Sequence, residues 1–370
     1  MRVAGATRRR PGQPTGSGEP TREPRTPLVA AECWRIGAVA AVIVVAGLVA
    51  AGARARHNMY RMSDGPFFVA VGRHPFGSGQ LPGNPLVYGV AYRYGRILFP
   101  LIGWLTAFGR PSWVASTLLG VYVVSFGAWV AFAAEHLRRN GRRPGLALGI
   151  LALPFALLAF VQPVLVSEPM AGALVLLAYL YERDGRRRAV LVVAALLILT
   201  REPMALALLP LVWTGWKERR LLAVRDWALV CAPYAAWTVW VRLRVGQFPF
   251  LDPSTSRRGA LSAPFVGWAS VWRNGASTTQ QVGLVIALLT VIAAIAIAVR
   301  GNWRYPVTHG ALALCAIVPF LGVSVFRFSG EAVRVLAPIQ ALLLIAALDR
   351  GDRPELRAER EPPTRVRSGS

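Results

Sequence analysis

Cysteine and acidic residues are both scarce in this chain of 370 residues. Its three cysteines, Cys33, Cys231 and Cys315, fall in or at the edge of apolar segments. Their spacing fits neither a disulfide framework nor a metal site, so we interpret them as small apolar core residues. Only 18 Asp and Glu stand against 42 Lys and Arg. Any acid placed close to a bilayer is therefore a candidate functional group.

Support for nucleic-acid binding is also lacking, although the formal net charge is +24 and the isoelectric point is about 11.5. Basic charge indicates a nucleic-acid partner when it covers a soluble face with aromatic or motif support. Here the Arg and Lys residues mostly separate apolar segments. Such charge orients membrane proteins and attracts anionic head groups, so we expect membrane lipid and no nucleic acid as a partner.

Long apolar runs are what the chain does have. Hydrophobic residues make up 54% of it, and the mean hydropathy is +0.44. These values are typical of a helical protein embedded in a bilayer. We predict an all-α, polytopic transmembrane helix bundle of about ten membrane segments, at residues 34–53, 113–134, 146–165, 167–181, 188–200, 203–216, 227–243, 279–299, 306–326 and 333–348.

Polar segments flank the predicted membrane domain, which occupies residues 33–348 with outer loops at 54–112 and 244–278. Residues 1–32, which are basic, and residues 349–370 lack the hydrophobicity to fold, so we predict that both are disordered and cytoplasmic. Alternate threading of the segments places both termini and most basic residues on one side, which the positive-inside rule makes the cytoplasm. We expect a multi-pass protein of the plasma (inner) membrane.

A further apolar run, Ile97–Phe108, is not counted among the membrane segments. Its twelve residues would form a helix of about 18 Å, against roughly 30 Å of hydrocarbon. If it crossed the bilayer, the basic loops that follow would face outward. We therefore predict an interfacial or re-entrant helix after the first outer loop.

This topology collects charged residues on the outer side. Only five of the eighteen acids fall there, namely Asp64, Glu168, Glu202, Asp252 and Glu331. Arginines accompany nearly all of them, including Arg93, Arg96, Arg201, Arg327 and Arg334. Because a guanidinium group binds phosphate in a bidentate manner, the collection predicts a pocket for an anionic, phosphate-bearing ligand.

Structural roles remain open for the same residues. Arg201 and Glu202 can neutralise each other at a helix turn, and Arg334 can snorkel at a helix boundary. Glu168, before a proline, can begin a helix as an acid near its N-terminal dipole. Asp64 can cap the helix that follows it, a role compatible with function, since a cap would hold the carboxylate rigidly.

Three segments carry a resemblance to a known family. They are Ser63–Phe68 (SDGPFF) with the later Arg73–Phe76, Ala91–Pro100 (AYRYGRILFP), and the turn Leu199–Pro203 (LTREP). The first two resemble the first outer loop of bacterial membrane glycosyltransferase-like proteins of the GT-C superfamily. The expected number of spans agrees with that superfamily over most of residues 34–348.

The resemblance implies transfer of a sugar from a polyprenyl-phosphate donor to a glycan or glycolipid acceptor of the cell envelope, in a mannosyltransferase-like reaction on the outer face. Asp64 corresponds to the catalytic acid of the family and would act as general base. The predicted substrate-binding residues, of which Arg327 and Arg334 rest on topology alone, are Arg93, Tyr94, Arg96, Glu168, Arg201, Glu202, Arg327, Glu331 and Arg334.

One departure from the family concerns metal. Many members carry two adjacent acids in this loop, whereas Gly65 follows Asp64 here. A divalent metal usually needs more than one carboxylate, so we expect a metal-independent reaction without a cofactor. Two other classes remain as alternatives. They are a non-catalytic scaffold of glycopolymer assembly and a lipid or solute transporter, for which internal repeats would be typical.

Overall fold

The computed structural model describes residues 27–60, 64–77, 90–161, 163–217, 221–251, 261–300, 306–326 and 329–349. These residues are all-helical apart from loops and one antiparallel bridge between Leu261 and Leu321. Residues 1–26 and 350–370, which include most of the predicted disordered segments, lie outside the described residues, as do Asp252 and Arg327.

Sixteen α-helices can be followed through the described residues. They are α1 (Ala31–Ala50), α2 (Gly52–Met59), α3 (Gly65–Arg73), α4 (Val90–Tyr94), α5 (Leu98–Thr106), α6 (Val114–Arg139), α7 (Pro154–Val161), α8 (Glu168–Arg183), α9 (Arg187–Thr200), α10 (Leu209–Lys217), α11 (Leu221–Val245), α12 (Val266–Arg273), α13 (Thr278–Val299), α14 (Pro306–Cys315), α15 (Val323–Phe326) and α16 (Ser329–Leu348). Short 3-10 helices lie at Pro144–Ala152, Glu202–Leu208, Pro249–Leu251 and Val318–Phe320.

Four helices of the described residues are long and apolar enough to span a membrane. They are α1, α6, α13 and the part of α16 from Glu331 to Leu348. An all-helical membrane protein, predicted from the apolar runs, is therefore the class that this fold defines. The apolar run after the first outer loop forms α5, whose nine residues reach about 14 Å and so stay shorter than the hydrocarbon layer.

Other predicted segments form helices that are shorter or interrupted. The segment predicted at 146–165 divides into the 3-10 helix Pro144–Ala152 and α7. Leu153 between them is extended, with ψ of 149°, because the residue before a proline disfavours the α conformation. The segment predicted at 203–216 instead continues without a break from the 3-10 helix Glu202–Leu208 into α10, since Leu209 has α-helical dihedral angles.

Helix α6 lies at the centre of the bundle and packs against α1, α5 and α8. Its contact with α1 is made by backbone, since a Cβ atom on Gly37 would lie 2.5 Å from the carbonyl oxygen of Gly127. On another face of α6, the indole ring of Trp129 packs against Gly172 of α8 and occupies the space that a Cβ atom there would need. Small residues allow such close approach of helices, which is a common basis of packing in membranes.

We predict that Gly37→Ala lowers the free energy of unfolding in detergent by about 1–3 kcal/mol, because the added methyl group overpacks the α1–α6 contact. Gly120→Ala on α6 is the matched control, since nothing lies within 4 Å of its Cβ position. There we expect no loss, or a gain of up to about 1 kcal/mol from helix propensity. Equal stability of both variants in denaturant titrations would contradict this account of the contact.

Helices α8 and α16 carry charged residues at both of their ends. Beyond the C-terminal ends lies a distal cluster, made of Glu135, His136, Arg139, Asp184 and Asp349. His136 Nε2 lies 2.8 Å from Asp349 Oδ2, while Arg139 Nε donates to Glu135 Oε1 at 2.6 Å and Arg139 Nη1 to Asp184 Oδ1 at 2.5 Å. The cluster ties together the ends of α6, α8 and α16.

Candidate functional site

The opposite ends of the same helices form an arginine cluster, which is our candidate site. Glu168 is the first residue of α8, and α16 brings Glu331 and Arg334 in its first two turns. The distal cluster is about 22–24 Å away, given the 16 residues of α8 at 1.5 Å each. The full membership within the described residues is Asp64, Arg93, Arg96, Glu168, Arg201, Glu202, Glu331 and Arg334.

Asp64 is the point at which three arginines meet. Its side chain is 2% exposed and forms ion pairs with Arg93, Arg96 and Arg334. Arg334 Nη1 donates to Asp64 Oδ2 at 2.7 Å, and Arg96 Nη1 donates to the same oxygen at 3.3 Å. Two arginines come from the α4 segment, and the third comes from α16, 270 residues after Asp64. The carboxylate is therefore buried among cationic groups, the arrangement in which charge-assisted hydrogen bonds form.

The prediction that Asp64 caps the following helix is confirmed for its position and not for its side chain. Asp64 does precede α3 and has Pro66 within the first turn, but its side chain makes no capping hydrogen bond. The carboxylate forms ion pairs with the three arginines instead. The same turn explains the glycine after it, because a Cβ atom on Gly65 would collide with the carbonyl oxygen of Met59. A second acid at position 65 would need the chain to move.

Glu168 is the second buried carboxylate. It is fully buried and forms ion pairs with Arg201 and Arg334. Arg334 Nε lies 3.1 Å from Glu168 Oε1, so one guanidinium group bridges the two buried acids. The predicted position at the start of a helix is confirmed, and the pairing with arginine adds to it. The predicted pairing of Arg201 with its neighbour Glu202 is wrong, because Arg201 contacts Glu168 instead.

Glu202 and Glu331 form the rim of the arginine cluster. Their side chains are 33% and 29% exposed, respectively. Glu331 Oε2 accepts from Arg334 Nη2 at 2.6 Å, whereas Glu202 Oε2 lies 3.9 Å from Arg96 Nε. The rim acids are thus in contact with solvent, in contrast to the two acids beneath them.

Burial lowers the pKa of Arg201, the charge of Glu168 opposes that effect, and the like charges of Arg96 and Arg334 add to it. Guanidinium groups nonetheless stay protonated in proteins. Packing several of them together is therefore unfavourable unless anions lie between them. The arginine cluster supplies these anions from its own acids, and it could also take them from a ligand.

Tyr94 lies apart from the arginine cluster, although it was predicted to bind substrate with Arg93 and Arg96. It is buried in a small apolar group with Val71 and Val241, and its carbonyl oxygen accepts a hydrogen bond from Trp237 Nε1 at 2.7 Å. An aromatic group adjoins it, in which Trp237 and Trp240 stack 4.5 Å apart and Phe76 packs edge-on against both.

Aromatic rings outside the predicted set of binding residues also lie at the site, as do two hydroxyls that were not predicted. The guanidinium of Arg96 donates to the Tyr92 hydroxyl and lies 4.6 Å from that ring, and the guanidinium of Arg93 lies 4.6 Å over Phe67. Two buried hydroxyls, Ser167 Oγ and Tyr122 Oη, have no hydrogen-bond partner among the described residues. Buried hydroxyls without a partner are unusual. Because Ser167 adjoins Glu168 in the chain, a group bound beside Glu168 could accept a hydrogen bond from the Ser167 hydroxyl.

Within the described residues, no group of three or more His, Cys, Asp and Glu side chains is arranged to hold a metal ion. The predicted independence from metal remains a prediction. Comparison of the chain with protein-family models, curated proteins and solved structures finds no match. Function has therefore to be inferred from the class of fold and from the arginine cluster itself.

Proposed function

We propose that the chain is a membrane glycosyltransferase of the GT-C type, which transfers a sugar from a polyprenyl-phosphate donor to a cell-envelope acceptor. One observation carries the proposal, which is that Asp64 lies at the meeting point of Arg93, Arg96 and Arg334. A buried carboxylate beside several guanidinium groups puts a proton acceptor next to an anion-binding surface. Because paired cations make a carboxylate less basic, Asp64 acts as a base once the donor phosphate takes up its arginines.

The proposal includes about ten membrane segments, as the apolar runs predict, with the arginine cluster on the extracytoplasmic face of the plasma membrane. Support comes from the distribution of basic residues. The loops that adjoin the distal cluster, at 137–145 and 183–188, are rich in arginine. The positive-inside rule assigns that end to the cytoplasm and hence the arginine cluster to the other side.

In the proposed reaction, the acceptor hydroxyl oxygen bonds to the anomeric carbon of the sugar as the bond from that carbon to the phosphate oxygen breaks. The hydroxyl proton passes to Asp64, and the lipid phosphate leaves with one additional negative charge. Arg93, Arg96 and Arg201 would stabilise that charge as it develops, which is where preorganised cations contribute most to rate.

The direct test is transfer of radiolabelled sugar by the purified protein from a panel of polyprenyl-phosphate sugars to envelope-derived acceptors. Transfer that depends on the protein supports a glycosyltransferase. The absence of transfer across the panel favours the alternative of a non-catalytic scaffold of glycopolymer assembly. One observation also supports that alternative. Every arginine of the cluster already has an acidic partner among the described residues, as a purely structural network would.

Arg334 provides a further prediction, since its guanidinium contacts Asp64, Glu168 and Glu331 together. Arg334→Lys keeps the charge but loses the planar fork, so it cannot hold both buried acids in the same geometry. We expect kcat/KM for transfer to fall about 10- to 100-fold. Arg187→Lys, which changes an arginine paired with Asp226 outside the site, should leave transfer unchanged. A fully active Arg334→Lys enzyme would remove this arginine from the mechanism.

A further inference from the structure

The arginine cluster is balanced in charge, which constrains what it can bind. Among the described residues it contains four arginines and four acids. From these eight residues an added anion would meet no net positive charge unless one or more of the acids moved away. The site as it stands is therefore occupied by its own carboxylates.

The acids differ in their freedom to move. Asp64 and Glu168 are buried and held by three and two arginines respectively. Glu202 and Glu331 are about one-third exposed, and they contact Arg96 and Arg334 respectively. Turning a partly exposed carboxylate into water restores its hydration, and an anion that takes its place keeps the buried arginine compensated.

We infer that Glu202 and Glu331 occupy the anion positions of the cluster in the free protein and are exchanged for a doubly charged phosphate monoester. With the rim acids turned away, the described residues of the cluster leave two positive charges, from four arginines and two buried carboxylates. A phosphate monoester carries nearly two negative charges at pH 7, whereas a phosphodiester carries one. The cluster therefore selects the monoester, and the rim acids compete with it.

This inference rests on the proposed function, in which the donor is a phosphodiester and the departing lipid phosphate is a monoester. It adds that the site matches the charge of the departing group better than that of the bound donor. Stronger binding of the group that gains charge lowers the barrier to its departure. It also predicts that the lipid phosphate product inhibits the protein.

The test is a binding measurement without any sugar, so it does not depend on transfer. Dodecyl phosphate and methyl dodecyl phosphate are titrated into the wild-type protein and into Glu331→Gln and Glu202→Gln in matched detergent. We expect the monoester to bind the wild-type protein about tenfold more tightly than the diester. Each rim variant should gain roughly two- to fivefold in monoester affinity, because one competing ion pair is removed.

Asp184→Asn is the matched control, since Asp184 is 24% exposed and is paired with one arginine of the distal cluster. Its monoester affinity should equal that of the wild-type protein. Equal affinity for monoester and diester, or rim variants that bind the monoester no better than Asp184→Asn, would overturn the inference. Unfolding temperatures establish that each variant is folded before its affinity is compared.

Inorganic phosphate separates the two sources of the same chemistry. If it displaces dodecyl phosphate only at far higher concentration, the ligand is a lipid head group; if it competes at similar concentration, the ligand is free phosphate. Both results support the exchange at the rim. Improved monoester binding by the rim variants together with no sugar transfer by the wild-type protein would retain this inference and reject the glycosyltransferase.

Discussion

Asp64→Asn is expected to reduce sugar transfer about 10²- to 10⁴-fold, the usual contribution of a positioned general base. The amide cannot accept the proton of the acceptor hydroxyl, although it has nearly the shape of the carboxylate. The measurement is the transfer of radiolabelled sugar by equal amounts of folded wild-type and variant protein. Retained transfer by a well-folded Asp64→Asn protein would remove Asp64 from the chemistry.

Two further variants make this result interpretable. Asp226→Asn removes an acid that pairs with Arg187 at 3.0 Å, away from the arginine cluster, and we expect it to transfer sugar at the wild-type rate. Asp64→Glu retains the charge but moves the carboxylate by one methylene group. If Asp64→Asn is unstable because three arginines lose their shared anion, Asp64→Glu should still fold and should still lose most of its activity.

Glu168→Gln is expected to lower the free energy of unfolding by about 3–5 kcal/mol. Glu168 is fully buried between Arg201 and Arg334, so its neutralisation leaves cationic charge beneath the rim without compensation. The loss should appear in denaturant titrations in detergent as a lower midpoint.

Glu331→Gln is the comparison for this loss of stability. It also removes an acid that pairs with Arg334, but one that is 29% exposed, so solvent can replace it. We expect it to cost no more than about 1 kcal/mol. If Glu168→Gln and Glu331→Gln lose equal stability, burial of Glu168 does not distinguish it from the rim, and the cluster is more hydrated than its exposure indicates.

Much of the arginine cluster follows from the topology that the sequence predicts. Segments that alternate in direction bring residues such as Asp64, Glu168 and Arg334 to the same end of the bundle, and the structure does bring them together. The sequence does not predict which acid pairs with which arginine. Arg201 is extended, with φ of −163°, and consecutive side chains of an extended backbone point in opposite directions. Arg201 and Glu202 therefore diverge.

Other features left no usable signal in the sequence. Tyr122 lies within the continuous apolar pattern of α6, so nothing distinguishes its hydroxyl as a group at the site. Leu153 and Pro154 interrupt an apolar run that period and length alone favour as one segment. A proline in the sequence indicates that a helix can end there. Whether a second helix follows depends on packing against neighbouring helices, which the local sequence does not show.

Helix α16 contains Pro338 between its two charged ends. A proline has no N–H to donate to the preceding turn, so the helix bends there more easily than elsewhere. Arg334 lies on one side of this joint, and on the other side Asp349 is fastened to His136. Bending at Pro338 can therefore move the Arg334 end of α16 while the end held by His136 keeps its packing.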